Sequence, residues 1–147
     1  MADFTESSIR VAADPGTVSD VIADVEAYPE WTPQMRTVTV LSTDEADYPE
    51  QVEFTIDAGV FQDTYVLEYT WDLAEDGQGV VSWTLVRGDV LKDMTGSYTL
   101  AADGDGTSVV YKLGVDLKIP MLGMIKRKAE KSIVSGALGG LKKRCEG

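Results

Sequence analysis

Residues 109–144 read VVYKLGVDLKIPMLGMIKRKAEKSIVSGALGGLKKR, and the change of period inside this stretch decides the fold. Val109, Tyr111, Leu113, Val115 and Leu117 fall on one face at period two, the pattern of a strand with one covered side. Pro120 ends that pattern. Beyond it Leu122, Ile125, Ala129, Ile133, Ala137 and Leu141 recur at helical spacing, with Met121, Met124, Val134 and Leu138 widening the stripe, and no further proline occurs up to about Arg144. A long strand therefore feeds one long helix that must cover something broad. Small residues crowd this helix at Ala129, Ser132, Ser135, Gly136, Ala137, Gly139 and Gly140. Each interior glycine costs roughly 0.8–1 kcal/mol of helix propensity relative to alanine. Such a cost points to close packing against the sheet or to room kept for a bound molecule.

Upstream, period two governs Met35 to Lys118. Val38 and Val40 mark one short strand, and Val52, Phe54 and Ile56 the next. Tyr65, Leu67, Tyr69, Trp71 and Leu73 share a face of a third, Val81, Trp83 and Leu85 one of a fourth with Arg87 in the same register, and Met94, Tyr98 and Leu100 one of a fifth. Short turns rich in glycine and aspartate separate them, as at Asp57-Ala58-Gly59 and Asp103-Gly104-Asp105-Gly106, which fits an antiparallel meander because parallel neighbours need long crossovers. Ahead of the meander, a short strand from Phe4 to Val11 leads to Asp14-Pro15, an N-cap followed by proline at the first helical position. Val18, Val21, Ile22 and Val25 continue that helix until Tyr28-Pro29, and Trp31 then sits in a tight turn or one-turn helix between two prolines. The expected class is α+β: about seven antiparallel strands, one or two short helices after the first, and a long C-terminal helix, in one domain spanning 1–147.

Composition removes much chemistry. The 147 residues carry 13 Lys+Arg against 25 Asp+Glu, a net charge of −12, and no histidine. Imidazole-based triads, proton shuttles and histidine-ligated metals are excluded, and so acidic a chain lacks long-range attraction for phosphate backbones. The single Cys145 rules out an internal disulfide and fits a reducing cytoplasm. With no 18-residue apolar run and no basic-then-apolar leader, the expectation is a cytoplasmic protein without an integral membrane segment. Neither GxxxxGK[ST] nor a GxGxxG after a strand occurs, so no cofactor is expected, and Asp103–Gly106 lacks the glycine and glutamate that a calcium loop needs further on, so no metal is expected either. The charge is also uneven. Residues 118–147 hold eight bases against Glu130 and Glu146, a net +6, while the first 117 residues stand at −18. The basic helix either lies on the acidic body or presents Lys126, Arg127, Lys128 and Lys131 to a partner.

The order of elements resembles the helix-grip layout of the START-like, or SRPBCC, superfamily. Asp14-Pro15, Tyr28-Pro29-Glu30-Trp31, Gly96-Ser97-Tyr98 and Val115-Asp116-Leu117-Lys118-Ile119-Pro120 are similar to its bacterial polyketide cyclase/dehydrase-like and coenzyme Q-binding-like branch. The resemblance implies a curved sheet wrapped around the final helix, with an apolar cavity between them. Cavity-facing candidates are Trp31, Phe54, Tyr69, Trp71, Trp83, Leu85, Arg87, Met94, Tyr98, Met121, Ile125, Ala129 and Ile133. Arg87, Tyr69 and Tyr98 are the candidates for polarising a carbonyl or passing a proton. The expected function is binding of a hydrophobic small molecule such as a lipid, an isoprenoid quinone or a polyketide. A polyketide aromatase/cyclase or dehydrase is the alternative, and a protein- or ribosome-interaction module using the basic helix is a further one. Oligomeric state is left open.

Overall fold

The computed structural model describes residues 4–120 and 122–147. Strand β1 (Thr5–Val11) is followed by helix α1 (Pro15–Ala23) and a short 3-10 helix (Val25–Glu30). Six strands follow: β2 (Met35–Thr43), β3 (Pro49–Asp57), β4 (Gln62–Leu73), β5 (Gly79–Gly88), β6 (Leu91–Asp103) and β7 (Gly106–Leu117). Helix α2 (Gly123–Glu146) closes the chain. The strands form one antiparallel sheet in the order β1-β7-β6-β5-β4-β3-β2, so only β1 leaves chain order, crossing over to pair with β7. The inward faces carry the apolar registers read from the sequence, and α2 packs along β1 and β7.

Two boundaries differ from the sequence reading. The first helix breaks at Asp24, whose φ of −81° and ψ of 67° are not helical, and a 3-10 turn then carries Tyr28 and Pro29. The final helix begins at Gly123 rather than at Pro120. Asp14 makes no side-chain bond to the α1 backbone; its carboxylate accepts a hydrogen bond from the Thr17 hydroxyl instead.

Glycine 96 shows how sequence and packing meet. Gly96 pairs with Trp83 across β5 and β6, and a Cβ there would overlap the indole. The missing side chain is the space that the Trp83 ring fills. On the other layer, Glu130 is 3% exposed and fixes α2 to the sheet by accepting the Val115 N–H (2.8 Å) and the Thr5 hydroxyl (3.0 Å). A buried carboxylate is tolerable there because both oxygens are hydrogen-bonded. Asp63, 5% exposed, similarly receives the N–H groups of Asp89 (3.1 Å) and Leu91 (2.8 Å), tying β4 to the β5–β6 turn.

The basic helix does lie partly on the acidic body. Lys126 pairs with Asp116 (3.0 Å), Arg144 with Glu30 (2.9 Å), and Lys142 donates to the Arg10 carbonyl (3.0 Å). Lys128 and Lys131 are exposed, and Leu122 and Met124 project at the helix start with 72% and 81% exposure. No helix among the described residues is long and apolar enough to cross a membrane.

Candidate ligand-binding site

Between the sheet and α2 lies a cavity whose wall is almost entirely aromatic and aliphatic. Strands β3 to β5 contribute Phe54, Ile56, Tyr65, Leu67, Tyr69 and Trp83, and β6 and β7 contribute Met94, Tyr98, Tyr111 and Leu113. Ile133 and Ala137 of α2 face them, and the segment from Tyr28 to Met35 closes the side through Tyr28, Trp31, Thr32, Gln34 and Met35. The rings form a continuous chain of contacts: Phe54 lies 5.6 Å from Tyr65, Tyr69 5.6 Å from Trp83, Trp83 5.5 Å from Tyr98, and Tyr98 4.6 Å from Tyr111, centre to centre. Such offset and tilted pairs add to the energy of burial. The space they leave is small. About 50 Å³ is open to the centres of water-sized guests, room for a few waters and far short of the several hundred cubic ångströms of a typical ligand site.

Five tyrosines bring their hydroxyls into this interior. Burial pushes Tyr28, Tyr65, Tyr69, Tyr98 and Tyr111 well above the ordinary phenol range, and repulsion from neighbouring tyrosines adds to the shift in all but Tyr111. At neutral pH they are proton donors, not bases. Tyr28 spends its proton on the Ile22 carbonyl. Tyr65, Tyr69, Tyr98 and Tyr111 line the cavity beside it. Among the described residues, no aspartate, glutamate, lysine or arginine lines the cavity.

Of the residues singled out in the sequence, Trp31, Phe54, Tyr69, Trp83, Met94, Tyr98 and Ile133 meet at this cavity. Others lie elsewhere. Arg87 is exposed and flanks a surface hollow with Glu53, Thr64 and Val66. The cause is a bulge: Leu67 pairs with Leu85, but Val66 pairs with Arg87, so Val86 is an extra residue and the period-two register reverses across it. Leu85 is half-buried opposite Leu67 without reaching the cavity. Trp71 stacks between Tyr48 (5.0 Å) and Tyr69 (5.4 Å) and donates its indole proton to the Pro49 carbonyl (2.6 Å), beyond the cavity wall. Ala129 is buried in the core away from the void, and Ile125 is 37% exposed on the overhanging first turns of α2. Met121 lies outside the described residues.

Sequence reasoning passed over Tyr28, Tyr65, Tyr111 and Gln34. Tyr65 and Tyr111 share the inward registers of Tyr69 and Leu113, so alternation carried their signal. Gln34 carried none, being a polar residue in a connection. Cys145 has its thiol pushed up to about 11 by burial and by the neighbouring Glu146, which removes it as a nucleophile at neutral pH.

A curved antiparallel sheet closed over a long C-terminal helix, with an aromatic void between them, defines a helix-grip protein of the START-like class. The sequence profile of the family "Polyketide cyclase / dehydrase and lipid transport" matches residues 1–146, and the chain belongs to that family. Among solved structures it is similar to a START superfamily protein from Mycobacterium smegmatis (22% identity, 97% of each chain covered, TM-score 0.87). It is also similar to a protein of Thermus thermophilus (22%, 97% of each chain, TM-score 0.82) and to the Zhui aromatase/cyclase from Streptomyces (17%, 99% of this chain and 94% of that one, TM-score 0.79). No curated protein matches the sequence.

Proposed function

We propose that the protein binds an apolar small molecule bearing carbonyl oxygens, of the isoprenoid quinone, lipid or polyketide kind, in the cavity between sheet and helix α2. The observation that carries this reading is the aromatic cavity wall in which the Tyr65, Tyr98 and Tyr111 hydroxyls remain protonated. Buried donors of this kind gain free energy from an acceptor that arrives with the ligand. Binding is favoured over catalysis because none of the described residues on the wall carries a charge to take a proton, and Arg87 stands outside it. A cyclase or dehydrase would need such a group near the reacting carbon.

Titration with a naphthoquinone, followed by tryptophan quenching, tests the reading. Saturable binding is expected, weakened about three- to tenfold in Tyr98→Phe, the worth of one hydrogen bond to a neutral acceptor. Arg87→Ala is expected to bind unchanged. An absence of saturable quenching, together with a clean unliganded mass for protein gently purified from its own host, would defeat the proposal.

A further inference from the structure

The cavity is too small for the ligand proposed above, and the wall that must yield is identifiable. Trp31 and Thr32 line the buried cavity on one side and, on the other, an outer groove of about 520 Å³ between the Pro29–Pro33 segment and the last turns of α2. Gly136, Gly139 and Gly140 form the floor of that groove. At Gly140 a Cβ would overlap the Trp31 carbonyl, so the glycine lets the segment lie directly on the helix, while Gly139 faces open space. Gly140 therefore serves the contact with Trp31, and a Cβ at Gly136 would stand 3.2 Å from the Gln34 side-chain oxygen; neither glycine meets the sheet.

Trp31 is 8% exposed, yet its ring N–H is buried without a partner, and so is the side-chain oxygen of Gln34 beside the same cavity. A buried donor and a buried acceptor left unpaired raise the free energy of the closed state. Backbone bonds shape the segment, from the Trp31 and Thr32 N–H groups to the Tyr28 carbonyl (3.1 and 2.8 Å) and from the Asp57 N–H to the Gln34 carbonyl (2.8 Å), but its side chains are lightly held to α2. The Glu30–Arg144 pair spans two exposed side chains at 2.9 Å, and one hydrogen bond of 2.9 Å joins the Gln34 amide to Ser132. With no cation among the described residues of the cavity wall, an anionic group would be desolvated without compensation there. A hydroxyl both accepts and donates, and it satisfies the two orphaned atoms together.

We propose that Trp31 is the partition of a single ligand site, whose halves are the buried cavity and the glycine-floored groove. Its ring N–H, with the Gln34 oxygen, selects an apolar ligand carrying a neutral phenolic or enolic hydroxyl. This rests on the reading that the interior takes apolar guests. Two matched probes, naphthalene and 1-naphthol, separate the two ideas in the full chain. Wild-type protein is expected to favour naphthol about tenfold, and Trp31→Phe to cut that preference, read as the ratio of the two affinities in the same variant, to about threefold or less. Trp31→Ala is expected to speed naphthol association about tenfold by joining cavity and groove; Arg144→Gln gives the same direction should that variant fail to fold. Naphthalene binding with no preference for naphthol, or a preference that survives Trp31→Phe, overturns the Trp31 assignment alone. A wild-type protein that binds neither probe overturns the cavity reading and this one with it.

Discussion

On the sheet side of the cavity each ring is held by the next, from Tyr65 through Phe54, Tyr69, Trp83 and Tyr98 to Tyr111, and every ring stands on a hydrogen-bonded strand. On the opposite side, the Trp31 segment runs from the end of the 3-10 helix to Pro33, held by its own turn bonds from the Trp31 and Thr32 N–H groups to the Tyr28 carbonyl and by the Asp57 N–H on the Gln34 carbonyl. Its side chains reach α2 through one surface ion pair and one amide–hydroxyl bond, and two polar atoms are left unpaired. The contrast divides labour within one cavity. The sheet fixes its shape, and the segment is where it can open, because loss of packing and of hydrogen bonds is least there.

The largest effect expected on the rigid side is alkaline collapse. The five interior tyrosines have folded pKa values raised above the ordinary value of 10.0, so above that pH the unfolded chain releases protons that the folded chain retains. Their contribution to stability is intact below pH 10 and is lost as pH rises past it, at about 1.4 kcal/mol per tyrosine per pH unit. Denaturant midpoints measured across this range should fall steeply, and tyrosinate absorbance should appear together with unfolding. Ionisation of most tyrosines in a chain that stays folded would show that the wall is already open to water.

Next in size is a paired test of the two walls. Gly96→Ala places a methyl group against the Trp83 indole inside a sheet that cannot yield, and a loss of about 3 kcal/mol is expected. Trp83→Leu in the same chain should restore part of it, a coupling that a double-mutant cycle measures. Gly140→Ala also meets backbone, at the Trp31 carbonyl, but there the segment can retreat and the helix gains about 1 kcal/mol of propensity. A loss smaller than that of Gly96→Ala is expected, the balance of that helix gain against the shift that the Trp31 carbonyl must make. Equal losses at the two glycines would mean that the Trp31 wall is as rigid as the sheet.

The same contrast explains what could be read in advance. Alternation from Val38 to Leu117 and the helical stripe from Ala129 to Leu141 are local patterns, and they led to the sheet and the grip helix. Arg87 was misplaced because a bulge at Val86 depends on pairing with β4, which no local pattern in β5 reveals. Trp71 fits the register of Tyr69 and still leaves the wall, since its indole is drawn to the Pro49 carbonyl and the Tyr48 ring. Glu130 looked like one more charge on a basic helix; its role comes from Val115 and Thr5, distant in the chain. The Trp31 partition escaped for a related reason. Trp31 was named as a cavity residue, but its boundary role depends on Gly136 and Gly140, which only the packed helix brings beneath the segment.

The smallest effect tests the lightly held side most directly. Arg144 and Glu30 keep 40% and 62% of their side-chain surface exposed, so their ion pair is worth at most about 1 kcal/mol and is screened by salt. Arg144→Gln should therefore leave the melting midpoint nearly unchanged. If the pair restrains the Trp31 segment, however, removing about 0.5 kcal/mol from the closed state raises the open population slightly more than twofold, and ligand association accelerates by the same factor. Stopped-flow association at low salt would detect that change, and added salt should produce it in the wild type but not in Arg144→Gln. A variant with unchanged association and an unchanged salt response would place the restraint in the packing of Trp31 on Gly140 rather than in the charge pair.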